Sequence, residues 1–299
     1  MDTVNRYLEY HLRSAKERDI DPANDALRYL SNRFELNREQ RYWLAFLYAT
    51  CYSSTTAYYM YNEFPDFETV DPKRMTRWWE ANRDKLLFQT DRRWTRSRNQ
   101  WVDCFLSYRS LVGSVGSQHA LFKSALRRAG GCNRGAYDIA FSLSSTIFTF
   151  GRFTLFLYLD AINAITETSL NPHSLDLVNA ASSRGGLAFA VGMSVESKDY
   201  PKLNRKFKEL EVAVGGLPID DQFKTVWAME TCLCAFRKHC QGNKRWVGYY
   251  IERQRKELEA MQEKVATGVN WDVLWDFRAE TYKDKHLKNE KRKINSSWR

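Results

Sequence analysis

The sequence NREQRYWLAFLYATCYSSTTAYYMYN, residues 37–62, has the apolar spacing of a long amphipathic helix. Asn37 and Gln40 have the identities and separation of a capping box, in which each side chain bonds the backbone N–H of the other residue. After this cap, Trp43 and Phe46 begin an aromatic stripe at helical spacing that continues to the end of the stretch. We therefore predict one long helix over residues 37–62.

The rest of the chain has the same helical periodicity, and no run alternates polar and apolar side chains as a strand does. Two helix starts pair an N-cap carboxylate with a proline, at Asp21-Pro22 and at Asp71-Pro72. Ser117 caps a further helix that stops at Gly130-Gly131. The remaining predicted helices are 134–145, 152–165, 174–191, 201–214, 220–240, 244–266 and 271–288.

The predicted fold class is all-α, with about eleven helices. Short glycine stops, rather than a linker rich in proline, glycine and serine, separate the helical segments. We expect a single compact multi-helix domain, with two lobes as the alternative. We divide the chain into an N-terminal helical segment (1–36), a main helical domain (37–282) and a basic C-terminal tail (283–299).

The chain is strongly basic. Its 299 residues carry a formal net charge of +10 and its pI is about 9.2, which favours a polyanionic partner, most simply nucleic acid. Residues 283–299 contain seven Lys or Arg against two acids, a surplus of five. The tail is therefore either a nucleic-acid arm or a solvated helix end.

Two observations bear on the compartment. Residues 1–16 are polar and charged and lack the apolar core of a signal peptide, so we expect a cytoplasmic protein. The most apolar stretch, 139–165, contains Gly151, Arg152 and Asp160. These residues favour a buried helix pair over a membrane span, and we expect no membrane partner.

Basic and aromatic side chains alternate between residues 77 and 101. This segment holds four of the ten tryptophans and seven Lys or Arg against three acids. Flat rings beside cations can stack on bases and grip phosphates, so we take Trp78, Trp79, Trp94 and Trp101 as base-stacking candidates. The alternative is that the tryptophans belong to the core and the arginines form a solvated face.

Irregular connections in a helical protein often carry function, and two are expected here. In the acidic turn 64–68, Asp66 and Glu68 are candidates for a general base or for binding a divalent cation such as Mg²⁺. The alternative is that they decorate a turn before a helix. In the connection 88–100, Asp91 lies among arginines and is either an orienting ion-pair partner or a catalytic base.

Phosphate binding would rely on arginines, hydroxyl and amide side chains, and helix ends. Gly151 precedes a helix, where backbone amides can approach an anion, although a lone glycine can also simply end a helix. The residues 182–186 either permit close helix packing or let a ligand reach an arginine. The phosphate-binding candidates are Gln89, Thr90, Arg92, Arg93, Arg96, Arg98, Gly151, Arg152, Arg184 and Arg253.

Several catalytic signatures are missing from the sequence. It has no Walker A loop, no dinucleotide-binding glycine fingerprint, no paired-histidine zinc motif and no nucleophile elbow. Cysteines and a histidine gather in residues 232–240, but their spacing on a helix does not place four ligands around one ion. We assign no metal site.

Six short motifs, taken in order, resemble a bacteriophage family, the amino acid:DNA transferases, also called alpha-glutamyl/putrescinyl thymine pyrophosphorylases. The motifs are Phe64-Pro65-Asp66-Phe67-Glu68, Gln89-Thr90-Asp91-Arg92-Arg93, Phe150-Gly151-Arg152-Phe153, Ser183-Arg184-Gly185-Gly186, Tyr249-Tyr250-Ile251-Glu252-Arg253-Gln254 and Trp275-Asp276-Phe277-Arg278. Their order and spacing cover most of the chain.

The resemblance implies a DNA-modifying transferase that acts in the host cytoplasm during phage infection. Its substrate would be DNA containing pyrophosphorylated 5-hydroxymethyl-uracil, and a free amino acid or polyamine would displace pyrophosphate at the thymine 5-methylene. The arginines would stabilise the departing anion. The carboxylate that deprotonates the amine would come from Asp66, Glu68, Asp91 or Glu252, and 37–282 would be the catalytic domain.

Two other functions fit parts of the sequence. The helical outline and the turn at Gly151 are similar to helix-hairpin-helix DNA glycosylases, which implies a two-lobed arrangement and removal of a modified base. The third interpretation is a non-catalytic DNA-binding protein in which the same arginines only contact phosphates.

Overall fold

The fold was analysed in a computed structural model, which describes residues 2–90, 92–242 and 245–282. These residues form fifteen α-helices and one 3₁₀ turn, Asp221–Phe223, and contain no strand. The all-α prediction is confirmed. The helices are α1 Thr3–Lys16, α2 Pro22–Arg33, α3 Arg38–Cys51, α4 Ser54–Glu63, α5 Pro72–Asn82, α6 Arg92–Ser97, α7 Trp101–Val115, α8 Gln118–Arg128, α9 Asn133–Ser144, α10 Arg152–Ile165, α11 Ala181–Ala190, α12 Tyr200–Gly215, α13 Val226–Cys240, α14 Tyr249–Lys264 and α15 Asp272–Tyr282.

The long helix predicted over 37–62 is two helices, and that prediction was wrong. The capping box of α3 forms as expected, with reciprocal 3.0 Å bonds between Asn37 and Gln40. Tyr52 then adopts a left-handed backbone (φ 55°) and ends α3. Ser53 caps α4 by accepting a bond from the Thr56 backbone N–H, because a run of Ser and Thr offers the backbone such local partners.

Four helices account for the difference between about eleven predicted and fifteen observed helices in the described residues. They are α1, α4, α6 and α7. The connection 88–100 was expected to be irregular, but Arg92–Ser97 forms a short helix within it. Conversely, the helix predicted over 174–191 spans Ala181–Ala190, and the one predicted over 244–266 begins at Tyr249 in the described chain.

The described chain divides into two compact units, which we call the first and second units. The first comprises residues 2–22, 172–242, 245–253 and 278–282, and the second comprises 23–90, 92–171 and 254–277. The domain boundaries predicted from the sequence, 36/37 and 282/283, stay predictions. The predicted tail, 283–299, and Asp91 lie outside the described residues.

The core of the second unit is largely aromatic. Phe46 of α3 stacks on Tyr108 of α7 with ring centroids 3.9 Å apart, and the Tyr158 hydroxyl of α10 donates a 3.0 Å bond to the Tyr108 hydroxyl. Phe150, just before α10, also packs on Phe46. These contacts fix the start of α10 against α3 and α7, because rings of this size dominate packing energetics.

The core of the first unit depends on a close approach of α11 to α13. A Cβ atom on Gly186 would lie 2.5 Å from the Leu233 carbonyl oxygen, and one on Gly185 would lie 2.2 Å from a guanidinium nitrogen of Arg237. At Gly186 only glycine leaves room for the backbone of α13, whereas at Gly185 the nearest atom is the end of a flexible side chain. Gly186 therefore serves helix packing, and the alternative that the segment 182–186 lets a ligand reach an arginine stays a prediction.

Asp19 links distant parts of the first unit. Its carboxylate is buried and accepts bonds from the backbone N–H groups of Gly248 (2.7 Å) and Ile251 (2.9 Å) at the start of α14. These N–H groups have no partner within the helix. A carboxylate more than 200 positions away in the sequence thus caps α14.

Among the described helices, none is both long enough and apolar enough to cross a membrane.

Candidate functional site

Two of the predicted phosphate-binding motifs meet in the second unit through Arg92. This side chain is only 4% exposed, and its Nη2 atom donates a 3.0 Å hydrogen bond to the carbonyl oxygen of Thr149. Thr149 has a left-handed backbone (φ 67°) and immediately precedes the Phe150-Gly151-Arg152 segment. The Arg92 guanidinium therefore holds the turn that leads into α10.

A buried carboxylate lies on the other side of the same motif. The amide Nε2 of Gln89 donates a 2.8 Å bond to Oε1 of Glu257 on α14, and Glu257 is 7% exposed. One helical turn earlier, Gln254 is also buried and donates to the Ser54 hydroxyl at 3.3 Å. We call Gln89, Arg92, Thr149, Gln254 and Glu257 the buried polar cluster, in which Gln89 and Thr149 are half-buried and the other three are buried.

The charges of this cluster act on two buried thiols. Burial raises the pKa of Cys51, and the nearby Glu257 carboxylate raises it further while Arg92 lowers it. Burial likewise raises the pKa of Cys104 to about 12, against the effects of the Thr149 hydroxyl and Arg92. Positive and negative charge thus share a region of low dielectric, where each has a larger effect than it would in water.

Gly151 and Arg152 form the N-terminus of α10. Gly151 is the N-cap, has extended backbone and is exposed, and nothing lies within 4 Å of a Cβ atom built on it. The half-buried Arg152 has its guanidinium carbon 4.8 Å from the Phe156 ring centroid. The N–H groups of a first helical turn have no partner within the helix, and together with an adjacent guanidinium they suit an anion.

The surface of α6 carries the most exposed candidate for base stacking. Trp94 is 60% exposed, and the Arg98 guanidinium lies 4.2 Å from its ring centroid. Arg93 is exposed too, and it reaches back to the buried polar cluster with a 3.5 Å bond to the Gln89 side-chain oxygen. By contrast, Arg96 donates to the Leu86 carbonyl and serves the local backbone.

Two of the four tryptophans predicted to stack on bases are core residues. Trp79 and Trp101 are fully buried and stack on each other with centroids 5.0 Å apart. The Trp101 indole donates to Thr50 at 2.9 Å. Their assignment as base-stacking residues is corrected, because neither ring has a free face. Trp78 is half-buried against Tyr59 and Phe64.

The acidic turn, residues 64–68, is anchored by its aromatic side chains. Phe67 packs 5.4 Å from Trp43, while Asp66 accepts a 3.1 Å bond from the Glu68 backbone N–H within the turn. In the described residues, neither Asp66 nor Glu68 bonds to the buried polar cluster. Asp66 does act on Tyr61, whose pKa is raised to about 12 by burial and by this carboxylate.

Three further candidates belong to the first unit. The Nη1 atom of Arg184 donates to the carbonyl oxygens of Leu177 (2.9 Å) and Val178 (3.3 Å). Arg253 lies 5.8 Å from the Tyr250 ring centroid, and Glu252 is half-buried on α14. If the arginines stabilise one departing pyrophosphate, Arg92, Arg93, Arg152 and Arg184 must share a pocket, and this stays a prediction.

The remaining candidate, Thr90, is exposed and has a left-handed backbone (φ 50°) between Gln89 and α6. In the described chain, no three carboxylate, histidine or cysteine side chains are grouped so as to hold a metal ion, and we assign no residue to Mg²⁺. Sequence reasoning missed Thr149 and Glu257, and it included Gln254 only as the last residue of a motif. No local signal distinguishes Thr149 or Glu257, because their places in the cluster arise from packing.

The sequence of this chain is similar to known proteins. The model of the amino acid:DNA transferase family matches residues 15–245, which include Gln89, Arg92 and Thr149 but not α14. A serinyltransferase of Salmonella phage ViI is 23% identical over 279 residues, covering 81% of this chain. The chain spans 63% of the length of that relative. No solved structure matches. On the strength of the family match, this chain belongs to the amino acid:DNA transferase family.

Proposed function

We propose that this chain transfers an amino acid to a modified thymine in DNA by displacing pyrophosphate from 5-pyrophosphorylmethyl-uracil. The main structural support is the buried polar cluster, in which Arg92 holds the turn before Gly151 and Arg152 while Glu257 lies next to Gln89. Such a displacement needs a cation and a helix N-terminus to stabilise the charge of the departing pyrophosphate. It also needs a carboxylate to accept the amine proton. The name of the phage relative makes serine the first donor to test.

The proposed reaction is a substitution at the exocyclic methylene carbon. The lone pair of the donor amine forms the new C–N bond while the C–O bond to pyrophosphate breaks. The bonding electrons leave with the pyrophosphate oxygen, and the amine nitrogen loses a proton to a base. Two groups must therefore be stabilised, a departing polyanion and a nitrogen that becomes positive as it attacks.

The N-terminus of α10 is the proposed binding site for the departing pyrophosphate. Arg152 and the first-turn amides would contact its oxygens, and exposed Arg93 would add a second guanidinium. Arg92 is bonded to the Thr149 carbonyl, so we assign it to shaping this turn and to supplying charge from below the surface. Donors fixed before the reaction lower the barrier because they need no reorganisation.

Glu257 is the carboxylate we propose as the base. It is buried, it lies in the same cluster as Arg92, and Gln89 orients it through a 2.8 Å bond. Asp66, Glu68 and Glu252 stay candidates from the sequence, but the described contacts do not join Asp66 or Glu68 to this cluster. A carboxylate positioned in this way can accept the amine proton as a general base.

Trp94 and Arg98 are proposed to contact the DNA. The exposed indole offers a face for a base and the guanidinium a charge for the backbone. The 5-substituent of thymine projects into the major groove, so the methylene is reachable in a duplex. An enzyme working on a base can also flip the nucleotide out, and an exposed tryptophan can support the extruded base.

The test uses DNA containing pyrophosphorylated 5-hydroxymethyl-uracil, incubated with the full chain and with L-serine, other amino acids or putrescine. Digestion to nucleosides and mass spectrometry should reveal an amino acid adduct, and pyrophosphate should be released in equal amount. A complete absence of adducts over the whole donor panel would refute the proposal. Formation of abasic sites instead would identify a glycosylase.

A variant separates catalysis from simple DNA binding. Arg152→Ala should reduce adduct formation at least 100-fold, because a removed charge-stabilising donor typically costs about 10²–10³ in rate. Its affinity for unmodified DNA should stay within about threefold of the unsubstituted chain, since one phosphate contact contributes modestly at physiological salt. Equal losses of turnover and of affinity would favour the non-catalytic interpretation.

A further inference from the structure

The first unit contains a cavity of about 450 Å³ that none of the proposed steps uses. It is lined by the segment 174–178, which precedes α11, and by one face of α12. Its volume falls in the range of sites for small molecules. The lining combines the rings of Tyr200 and Phe207 with charged side chains of both signs.

The positive charges come from α12. Arg205 and Lys208 are three residues apart and therefore lie on one face of the helix, and the neutral Asn204 also lines the cavity. Lys208 donates to Glu211 (2.7 Å) and to the His173 carbonyl (3.2 Å). Arg205 is exposed and forms no ion pair or hydrogen bond with any described residue. Its planar fork is thus free to bind a carboxylate through two bonds.

The negative charge comes from the opposite stretch of sequence. Asp176 lines the same cavity and is held by a 3.0 Å bond from the Asn179 amide to its Oδ1. Arg184 ties the two walls together, because its Nη1 donates to the Leu177 carbonyl at 2.9 Å and to the Tyr200 hydroxyl at 3.4 Å. The backbone of the segment that carries Asp176 is therefore joined to the start of α12.

We propose that this cavity binds the free α-amino acid that serves as the donor. Arg205 would bind the α-carboxylate, Asp176 the α-ammonium group, and the rings of Tyr200 and Phe207 would contact the donor side chain. This is the protonated, unreactive form of the donor, and its ammonium group must leave Asp176 before the base of the reaction can take its proton. The identity of the ligand rests on the proposed transferase function. The paired charges make the cavity selective for α-amino acids. A diamine has no carboxylate to bind Arg205, and a DNA phosphate is repelled by Asp176.

Direct binding provides the first test. L-serine, glycine, L-glutamate and putrescine are titrated into the full chain by calorimetry and ligand-observed NMR. Arg205→Ala and Asp176→Asn should each weaken binding of the α-amino acids at least tenfold. Lys202→Ala is the matched control, since Lys202 is an exposed cation on the same helix outside the cavity, and it should leave binding within about twofold, as expected for an exposed charge remote from the ligand.

Kinetics on the modified DNA provide the second test. Arg205→Ala should raise the KM for the amino acid at least tenfold, with DNA affinity and kcat at saturating donor close to those of the unsubstituted chain. Loss of DNA affinity in Arg205→Ala, with an unchanged KM for the amino acid, would overturn the inference and identify a phosphate contact.

The two proposals can fail separately. If the unsubstituted chain forms adducts but Arg205→Ala and Asp176→Asn bind amino acids normally, the cavity assignment is wrong and the transferase function stands. If no adduct forms with any donor, the transferase function fails, and the titrations still decide whether the cavity binds amino acids. Failure of every α-amino acid to bind the unsubstituted chain overturns the inference.

Discussion

Glu257 and Glu259 stand two positions apart on α14 and have opposite environments. Glu257 is 7% exposed and bonded to Gln89, whereas Glu259 is exposed and paired with Arg255 one turn earlier. Because both are glutamates on the same helix, substituting each in turn separates the effect of the buried position from the general effect of losing a carboxylate.

Glu257→Gln should lower the rate of adduct formation at least 100-fold, since general-base catalysis typically contributes about 10²–10⁴-fold. DNA affinity should change little. Glu259→Gln is the control and should retain nearly full activity, as an exposed ion pair contributes about 1 kcal/mol or less to stability. Comparable activity in the two variants would exclude Glu257 as the base.

His11 gives a second prediction for a single residue. Burial lowers its pKa from 6.5 to about 4, although the bond to the Phe223 carbonyl opposes this effect. Because a carbonyl oxygen only accepts, Nε2 must carry the proton of the 2.7 Å bond to it, and Nδ1 can accept from the Tyr7 hydroxyl. The folded chain therefore holds neutral imidazole, while the unfolded chain takes up a proton as the pH falls below 6.5.

The stability that His11 contributes is present above its unfolded pKa and is lost as the pH falls through its folded pKa. Between about pH 7 and pH 4, the unfolding free energy of the unsubstituted chain should fall by about 3 kcal/mol relative to His11→Gln. Urea unfolding of both proteins at each pH measures this difference. Asp19, whose pKa burial raises to about 7, has the opposite dependence, and the comparison cancels it. If the difference in unfolding free energy between the two proteins did not change with pH, the assignment of a neutral His11 to the folded chain would be contradicted.

At the scale of elements, the contact of α11 with α13 depends on Gly186. A methyl group there would meet the Leu233 backbone carbonyl at 2.5 Å, and backbone cannot move aside as a side-chain end can. We expect Gly186→Ala to lower the unfolding free energy by about 1–3 kcal/mol, the usual cost of overpacking. Urea unfolding followed by circular dichroism measures the change.

Gly113→Ala is the matched control for this substitution. Gly113 also lies in a helix, α7, but nothing lies within 4 Å of a Cβ atom built on it. Alanine should therefore stabilise the chain by about 0.5–1 kcal/mol, because it restricts the unfolded chain more than glycine does. Equal effects of the two substitutions would show that α11 and α13 are not in close contact.

At the scale of the whole molecule, net charge should govern association with DNA. Deleting residues 283–299 removes seven Lys or Arg and two acids, which lowers the formal charge from +10 to +5. We expect weaker DNA binding at low salt and a shallower dependence of log K on log salt concentration, since fewer counterions are released. Turnover at saturating DNA should be unchanged, because the buried polar cluster is intact.

Fluorescence anisotropy over a range of salt concentrations measures the DNA affinity and its dependence on salt. A full-length variant with glutamine at the seven tail cations separates the effect of charge from that of chain length. An unaltered salt dependence in both variants would mean that residues 283–299 do not contact DNA and that cations elsewhere in the chain account for binding.

Local interactions made much of the fold predictable. The capping box at Asn37, the N-cap at Asp71 and the N-cap at Ser117 all form as expected, because a cap involves residues only two or three positions apart. The apolar period fixed the all-α class in the same way. The break at Tyr52 was missed, since an uninterrupted aromatic pattern concealed the end of one helix and the start of another.

By itself, the sequence determined the helical class, the local caps and the family resemblance, which depend on residue type and short spacing. Tertiary structure alone decided that Trp79 and Trp101 are core while Trp94 is exposed, and that Glu257 rather than Glu259 is buried. The physical reason is that burial depends on which helix face meets another helix. That meeting is settled by packing among residues far apart in the chain, which local spacing does not encode.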